Sequence, residues 1–358
     1  MMLRSLLLTA SAALAVGACD ERSSGDSAAP ETASATSPAY SADAATPVRP
    51  ETRKFRDWLA ICDNGNACSA FGPAANSGGW IRVTLDAGPD ARPQVHAGLV
   101  DRAAGPEGLT LSVDGQRFAL TMESDSVGRI QDPTQGLIDA LAKGRRLSLG
   151  DDVALSPSGA AAALLWIDER QGRLGTTGAL VRRGATPASS VPAAPALPRV
   201  VSAPAVAQTN LPSRTLPAAF EARADVKQCR ADTAYSPTFQ SNVTVDRLAA
   251  DQELWGVPCF SGAYNFGLRY FVTEPNGANP QPVRFPTSRE PADVVVNGEY
   301  DPTSRTLTAF NKGRGVGDCG IASVWAWTGR DFALVSESEM RECWGVPADL
   351  WPSTWRSR

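Results

Sequence analysis

Histidine and lysine are scarce in this chain of 358 residues: there is one histidine, His96, and four lysines, Lys54, Lys143, Lys227 and Lys312. A single histidine excludes a multi-His metal centre, and a Ser-His-Asp triad would have to use His96. His96 lies in the alternating stretch Pro93–Val100, which predicts a half-exposed strand position. No lysine has Ser or Thr three residues before it, so the Ser-x-x-Lys arrangement is missing. Nor is there a Cys-x-x-Cys, which removes a thioredoxin-like redox role. Basic runs are absent as well, and the formal net charge is −4 with pI ≈ 5.3. Nucleic acid is therefore not an expected partner, because its affinity comes from clustered Lys and Arg. Anionic lipid headgroups offer no better attraction. Enzymes built on carboxylates alone stay open, with Asp168, Glu169, Glu337, Glu339 and Glu342 as the acids. Charges at these spacings usually form a solvated face.

What is present begins with Cys19. It follows Arg4 and an apolar run from Leu6 to Val16, too short to span a bilayer and with the composition of a secretory signal. The small residues before it are the pattern of a lipoprotein signal, with the mature chain beginning at an acylated Cys19. The other six cysteines form an even set, so acylation accounts for the odd one. These features predict an address on the periplasmic side of a Gram-negative membrane. Asp20 resembles an inner-membrane retention signal and favours the inner over the outer membrane.

Composition divides the rest. Residues 1–18 are the signal peptide, and 19–51, rich in Ser, Ala, Thr and Pro, read as a disordered tether. A second Pro/Ala-rich stretch, 186–217, holds seven prolines and reads as an interdomain linker. Between and after them lie a domain at 52–185 and another at 218–358.

In the first domain, Asn64-Gly65-Asn66 reads as a hairpin loop that sets Cys62 across from Cys68. Asp114-Gly115 is the turn of a second hairpin, between 109–113 and 116–120. Asp132-Pro133 and Ser156-Pro157 each look like a helix start, one before Leu137, Ile138 and Leu141, the other before the run from Ala160 to Ile167. Ser158 reads as a helix-start residue, not a nucleophile. The second domain reads as strands at 293–300 and 305–310, then a hairpin of 321–327 and 332–335 around Thr328–Asp331. The expected fold class is α+β with mostly antiparallel strands: a β-sandwich-like first domain with two helices, and a nearly all-β second domain.

Six of the nine tryptophans fall between Trp255 and Trp355. Trp325 and Trp327 share a strand face, where they could line a groove but more commonly pack beneath a sheet. The six cysteines could pair in fifteen ways. Division by domain and sequence proximity favours Cys62–Cys68, Cys229–Cys259 and Cys319–Cys343. Gly315–Gly320 matches G-x-G-x-x-G, but a β-branched, Trp-rich strand follows where a dinucleotide site needs a helix, so no cofactor is expected. The glycines instead imply unusual φ or close approach, and Arg314 with Asp318 an ion pair or a binding pair.

Several motifs together carry a resemblance. They are Phe55-Arg56-Asp57-Trp58 with Cys62 and Cys68, Gly262-Ala263-Tyr264-Asn265 after Cys259, Lys312–Gly320, and the ending from Cys343-Trp344-Gly345 to Trp351-Pro352-Ser353-Thr354-Trp355-Arg356. They resemble the family of exported Gram-negative proteins called domain of unknown function 1176. The first domain is more weakly similar to the invasion-associated locus B proteins. The family implies no activity or catalytic residues. The resulting expectation is a lipid-anchored, non-catalytic binding or envelope-maintenance module without cofactor or metal, its partner an envelope protein or glycan. Its expected contact surface is the loop Lys312–Gly320 with Tyr264, Asn265, Trp325 and Trp327. The alternative is a carboxylate-based hydrolase of envelope glycan, which needs two carboxyls facing one pocket.

Overall fold

A computed structural model describes residues 48–130 and 133–358. The signal segment, Cys19, nearly all of the tether and the Asp132 helix cap lie outside the described residues. The N-terminal half contains β1 (Glu51–Phe55), β2 (Trp58–Cys62), β3 (Cys68–Pro73), β4 (Gly79–Leu85) and β5 (Gln94–Leu99). It continues with β6 (Thr110–Val113), β7 (Gln116–Ala119), β8 (Thr121–Met122), β9 (Val127–Ile130), α1 (Gln135–Lys143), β10 (Leu147–Leu149), β11 (Val153–Leu155) and α2 (Ala160–Arg170). Seven strands pair antiparallel in the order β1-β2-β3-β4-β5-β9-β8, and four more in the order β11-β10-β6-β7.

Period-two alternation decides which face of the larger sheet is core. On β4, Ile81, Val83 and Leu85 point into a core shared with Leu111, Leu137 and Leu164, while Trp80, Arg82 and Thr84 take the opposite face. The Asp114-Gly115 hairpin forms as expected, with φ of +49° and +89° at its two turn residues. Helix α1 begins at Gln135 behind Thr134, later than the start that Asp132-Pro133 suggests, and buries Leu137, Ile138 and Leu141. Helix α2 starts at Ala160, later than Ser156-Pro157 suggests. Its cap is Gly159 at φ +106°, where a Cβ would stand 1.7 Å from the Phe55 carbonyl oxygen. Only glycine fits there.

The C-terminal half contains α3 (Ala218–Glu221), α4 (Ala224–Asp232), α5 (Pro237–Gln240), β12 (Thr244–Ala249), β13 (Gln252–Ser261), β14 (Phe266–Glu274) and β15 (Ala278–Pro282). It ends with β16 (Val295–Val296), β17 (Glu299–Asp301), β18 (Thr306–Lys312), β19 (Gly320–Trp327), β20 (Phe332–Met340) and β21 (Ser353–Arg356). Strands β12-β13-β14-β15 form one sheet, with β16 also on β14; β17-β18-β19-β20-β21 form the other. The expected strand at 293–300 is split into β16 and β17 by a turn at Asn297, whose φ is +49°. Leu254, Leu268, Tyr270 and Phe285 meet Leu307, Trp325, Trp327 and Phe332 between the two sheets. On the other face of the first of these sheets, Trp255, Val257 and Phe271 pack with Phe220 and Val226 of α3 and α4. The structure is thus mostly antiparallel β in an α+β class, with three short helices opening the C-terminal half.

All three expected disulfides are present: Cys62–Cys68, Cys229–Cys259 and Cys319–Cys343. The second ties α4 to β13. Residues 186–217 have little regular structure beyond one turn at Ala188–Ser190, yet they are held against the end of the chain. Val200 N–H donates to the Arg358 carbonyl at 3.0 Å, and Arg358 N–H to the Pro198 carbonyl at 2.8 Å. The outer face of the seven-stranded sheet is not solvated either. Phe71 and Trp80 pack there with Met340, Val346 and Trp351. His96, on that same face, is 7 % exposed and not half-exposed as the alternation suggested.

Candidate functional site

The loop between β18 and β19 is held by its own side chains. Arg314 Nε donates to Asp318 Oδ1 at 2.6 Å and its terminal nitrogen to Oδ2 at 2.5 Å, a bidentate fork. Asp318 also accepts the Gly345 N–H at 2.7 Å. The hydrogen bond from Arg314 holds the Asp318 carboxyl below its ordinary value. Asn265 bonds both backbone groups of Lys312, donating to its carbonyl at 2.9 Å and accepting its N–H at 3.2 Å. Tyr264 lies over Gly315 with its ring edge and is exposed. Gly317 and Gly320 have φ of +72° and +140°, so the glycines serve backbone conformation, as the sequence implied. Asp318, Cys319 and Cys343 lie within metal-ligand distance of one another, but the two sulfurs are bonded to each other.

Tyr264, Asn265, Arg314 and Asp318 therefore come together at one end of the β18–β19 hairpin, while Trp325 and Trp327 lie buried farther along β19. A mainly apolar concavity lies elsewhere. It is a groove of about 390 Å³ over one face of the last sheet, covered by residues 287–296. The register builds its floor from two cross-strand rows: Ala309–Ser323–Glu337 and Asn311–Ile321–Glu339. Trp325 extends the floor and donates its indole N–H to the Pro286 carbonyl at 2.6 Å, pinning the covering segment. Val294, Val295 and Val296 form the apolar wall.

Glu337 and Glu339 are 5 % and 8 % exposed, contrary to the solvated face expected from their spacing. Their i, i+2 separation on β20 turns both carboxylates to the groove. Glu337 accepts from the Ser288 hydroxyl and, at 2.7 Å, from the Thr354 hydroxyl. Glu339 is gripped by Arg289 and by Arg341 at 3.2 Å. Burying a carboxylate requires such donors. The signal was available in Ser336-Glu337-Ser338-Glu339, but it speaks only once the strand is known to run past Val335. Asp168, another of the acids singled out, is fully buried and accepts the backbone N–H groups of Leu180 and Val181 at 2.7 and 2.8 Å. It closes the loop at 180–182.

The fold is thus a disulfide-braced, mainly antiparallel β protein carrying an apolar groove with two acids at one end. The family described as protein of unknown function (DUF1176) matches residues 52–358, and the chain belongs to it. The uncharacterized protein YpfG of Escherichia coli (strain K12) is 31 % identical over 339 residues, covering 86 % of this chain and 94 % of that protein. The crystal structure of invasion associated protein b from Bartonella henselae is weakly similar. Its TM-score is 0.29 at 13 % identity, covering 34 % of this chain and 99 % of that one. No helix among the described residues is long and apolar enough to cross a membrane.

Proposed function

We propose that this protein is a lipid-anchored, non-catalytic binding module of the cell envelope, held by acyl chains on Cys19 at the periplasmic side of the membrane. Its ligand is the apolar part of an envelope component, a protein segment or a glycan-linked group. One observation carries the binding reading: a preformed groove of about 390 Å³ with an Ala309, Ile321 and Trp325 floor and a valine wall. A hydrolase would need two carboxyls free to exchange protons with substrate. Glu337 and Glu339 are both occupied by the protein's own donors. Their chemistry here is to hold residues 287–296 over the sheet.

The neutral apolar dye N-phenyl-1-naphthylamine tests the groove. Wild type should bind it saturably, Ala309→Trp should bind about tenfold more weakly by filling the floor, and Thr308→Trp, on the exposed face of the same strand, should bind like wild type. Equal binding by Ala309→Trp, or no saturable binding by wild type, refutes this placement. Release of reducing ends from envelope glycan by wild type but not by Glu337→Gln would establish a hydrolase instead. For the anchor, Cys19→Ser should move the protein from the membrane to the soluble fraction; retention in the membrane would exclude anchoring through Cys19.

A further inference from the structure

A second cavity, of about 220 Å³, opens where the outer face of the seven-stranded sheet meets the last strand, and polar side chains line it. Three arginines converge there: Arg82 from β4, Arg92 from the turn before β5, and Arg356 from β21. Ser69 and Thr84 are direct cross-strand partners, one row from Arg82 on the same face, and Ser353 stands on the opposite bank.

The arginines differ in what satisfies them. Arg356 donates to Asp63, which is buried and also accepts the N–H groups of Gly65 and Ala67. That pair is internally neutral. Arg82 has no such partner: among the described residues no hydrogen bond or ion pair reaches its guanidinium, and its Nε is buried and unbonded. Its guanidinium carbon stands 5.7 Å from the centre of the Phe71 ring. Asp86 and Asp349 act on it only through their field, and burial lowers it to about 10, which leaves it cationic at neutral pH. Arg92 is exposed at the mouth, also without a described partner. The hydroxyls of Ser69, Thr84 and Ser353 likewise make no hydrogen bond among the described residues.

A partly buried cation with no bonded counter-ion is unfavourable, and a cavity whose lining adds unused hydroxyl donors beside the Asp63 and Asp86 carboxylates is where an anion offsets that cost. Guanidinium forks fit oxyanions bidentately, and hydroxyl donors on the other sides suit a tetrahedral group. We infer that this cavity binds a phosphate group, with Arg82 as the central donor, Arg92 closing the mouth, and Ser69, Thr84 and Ser353 completing the shell. Asp86 on the rim limits the site to a group of low charge.

The test is titration calorimetry of the full chain carrying Cys19→Ser, with inorganic phosphate at low ionic strength. Saturable one-to-one binding that matched chloride does not displace is expected, with Arg82→Gln and Arg92→Gln each weakening it by about tenfold or more. Arg92 is exposed, so Arg92→Gln keeps the fold even if Arg82→Gln does not, and Thr84→Val should weaken binding less. No saturable binding, or unchanged binding in Arg92→Gln, overturns the site. Phosphatidylglycerol vesicles that displace phosphate, where phosphatidylcholine vesicles do not, would identify the source as a lipid headgroup. Failure of both to compete would identify it as a soluble phosphate.

Discussion

Asn64 and Arg356, 292 residues apart, exchange a pair of hydrogen bonds: the Asn64 side-chain amide donates to the Arg356 carbonyl at 2.8 Å, and the Arg356 N–H donates to Asn64 Oδ1 at 2.8 Å. The side chain of Asn64 thereby acts as one more residue of β-ladder along the last strand. With Arg356 also reaching Asp63, the first disulfide hairpin is fastened to the end of the chain.

Asn64→Ala should therefore destabilise the whole fold. Asn64 is fully buried, and its loss leaves a backbone donor and acceptor of β21 unpaired. A decrease of ~2–3 kcal/mol in urea unfolding is expected. A change below about 0.5 kcal/mol, the size of an ordinary surface substitution, would mean the two halves do not depend on this contact.

The disulfides should rank by the chain they close. Cys62–Cys68 spans 6 residues, Cys319–Cys343 spans 24 and Cys229–Cys259 spans 30. Loop entropy assigns ~2 kcal/mol to the first and ~3.5 kcal/mol to each of the others. Paired Cys→Ala variants measured by urea unfolding should follow that order. A larger loss for the shortest bridge would show that native packing, not loop closure, governs its contribution.

Two aspartates should give opposite pH responses. Burial raises the Asp246 carboxyl to about 6 from 3.8, with Arg214 opposing the shift. The native state then binds more protons than the unfolded chain between these values, so stability from this group falls as pH rises through that window. Asp246→Asn should be more stable than wild type at pH 7, by on the order of 1 kcal/mol after solvent screening, and equal to it near pH 4. Asp318, held low by Arg314, contributes stability above the unfolded carboxylate range that is lost as pH falls through its folded value. Asp318→Asn should accordingly be less stable at pH 7, with the difference closing in acid. Thermal unfolding from about pH 2 to pH 7 checks both signs, Asp246 between pH 4 and 7 and Asp318 below about pH 4, and parallel curves for the two variants would refute the assignment.

Features set by neighbours in the chain were legible before the structure. The Asp114-Gly115 turn needs only two residues that accept positive φ, and Leu137, Ile138 and Leu141 make an apolar face by spacing alone. The cysteine pairs were readable because each closes within one stretch of compact chain. The helix at 160–170 was visible but not its start, because Gly159 answers to the Phe55 carbonyl, a hundred residues earlier. The carboxylates were misread for the same kind of reason. Glu337 and Glu339 look like surface charges until Ser288, Arg289 and Thr354 are brought over them, and Asp168 until the loop at 180–182 folds back. Of the contact residues expected from sequence, only Trp325 lines the groove.

The amino-acid sequence by itself determined the class, the family, the bridges and the shortage of catalytic side chains, because these follow from composition and from contacts a few residues apart. Tertiary structure alone decided which polar groups are buried and what faces them. A charge's solvation depends on residues dozens to hundreds of positions away, and no local pattern records whether the far partner arrives with a donor, as at Glu337, or leaves an arginine without one, as at Arg82.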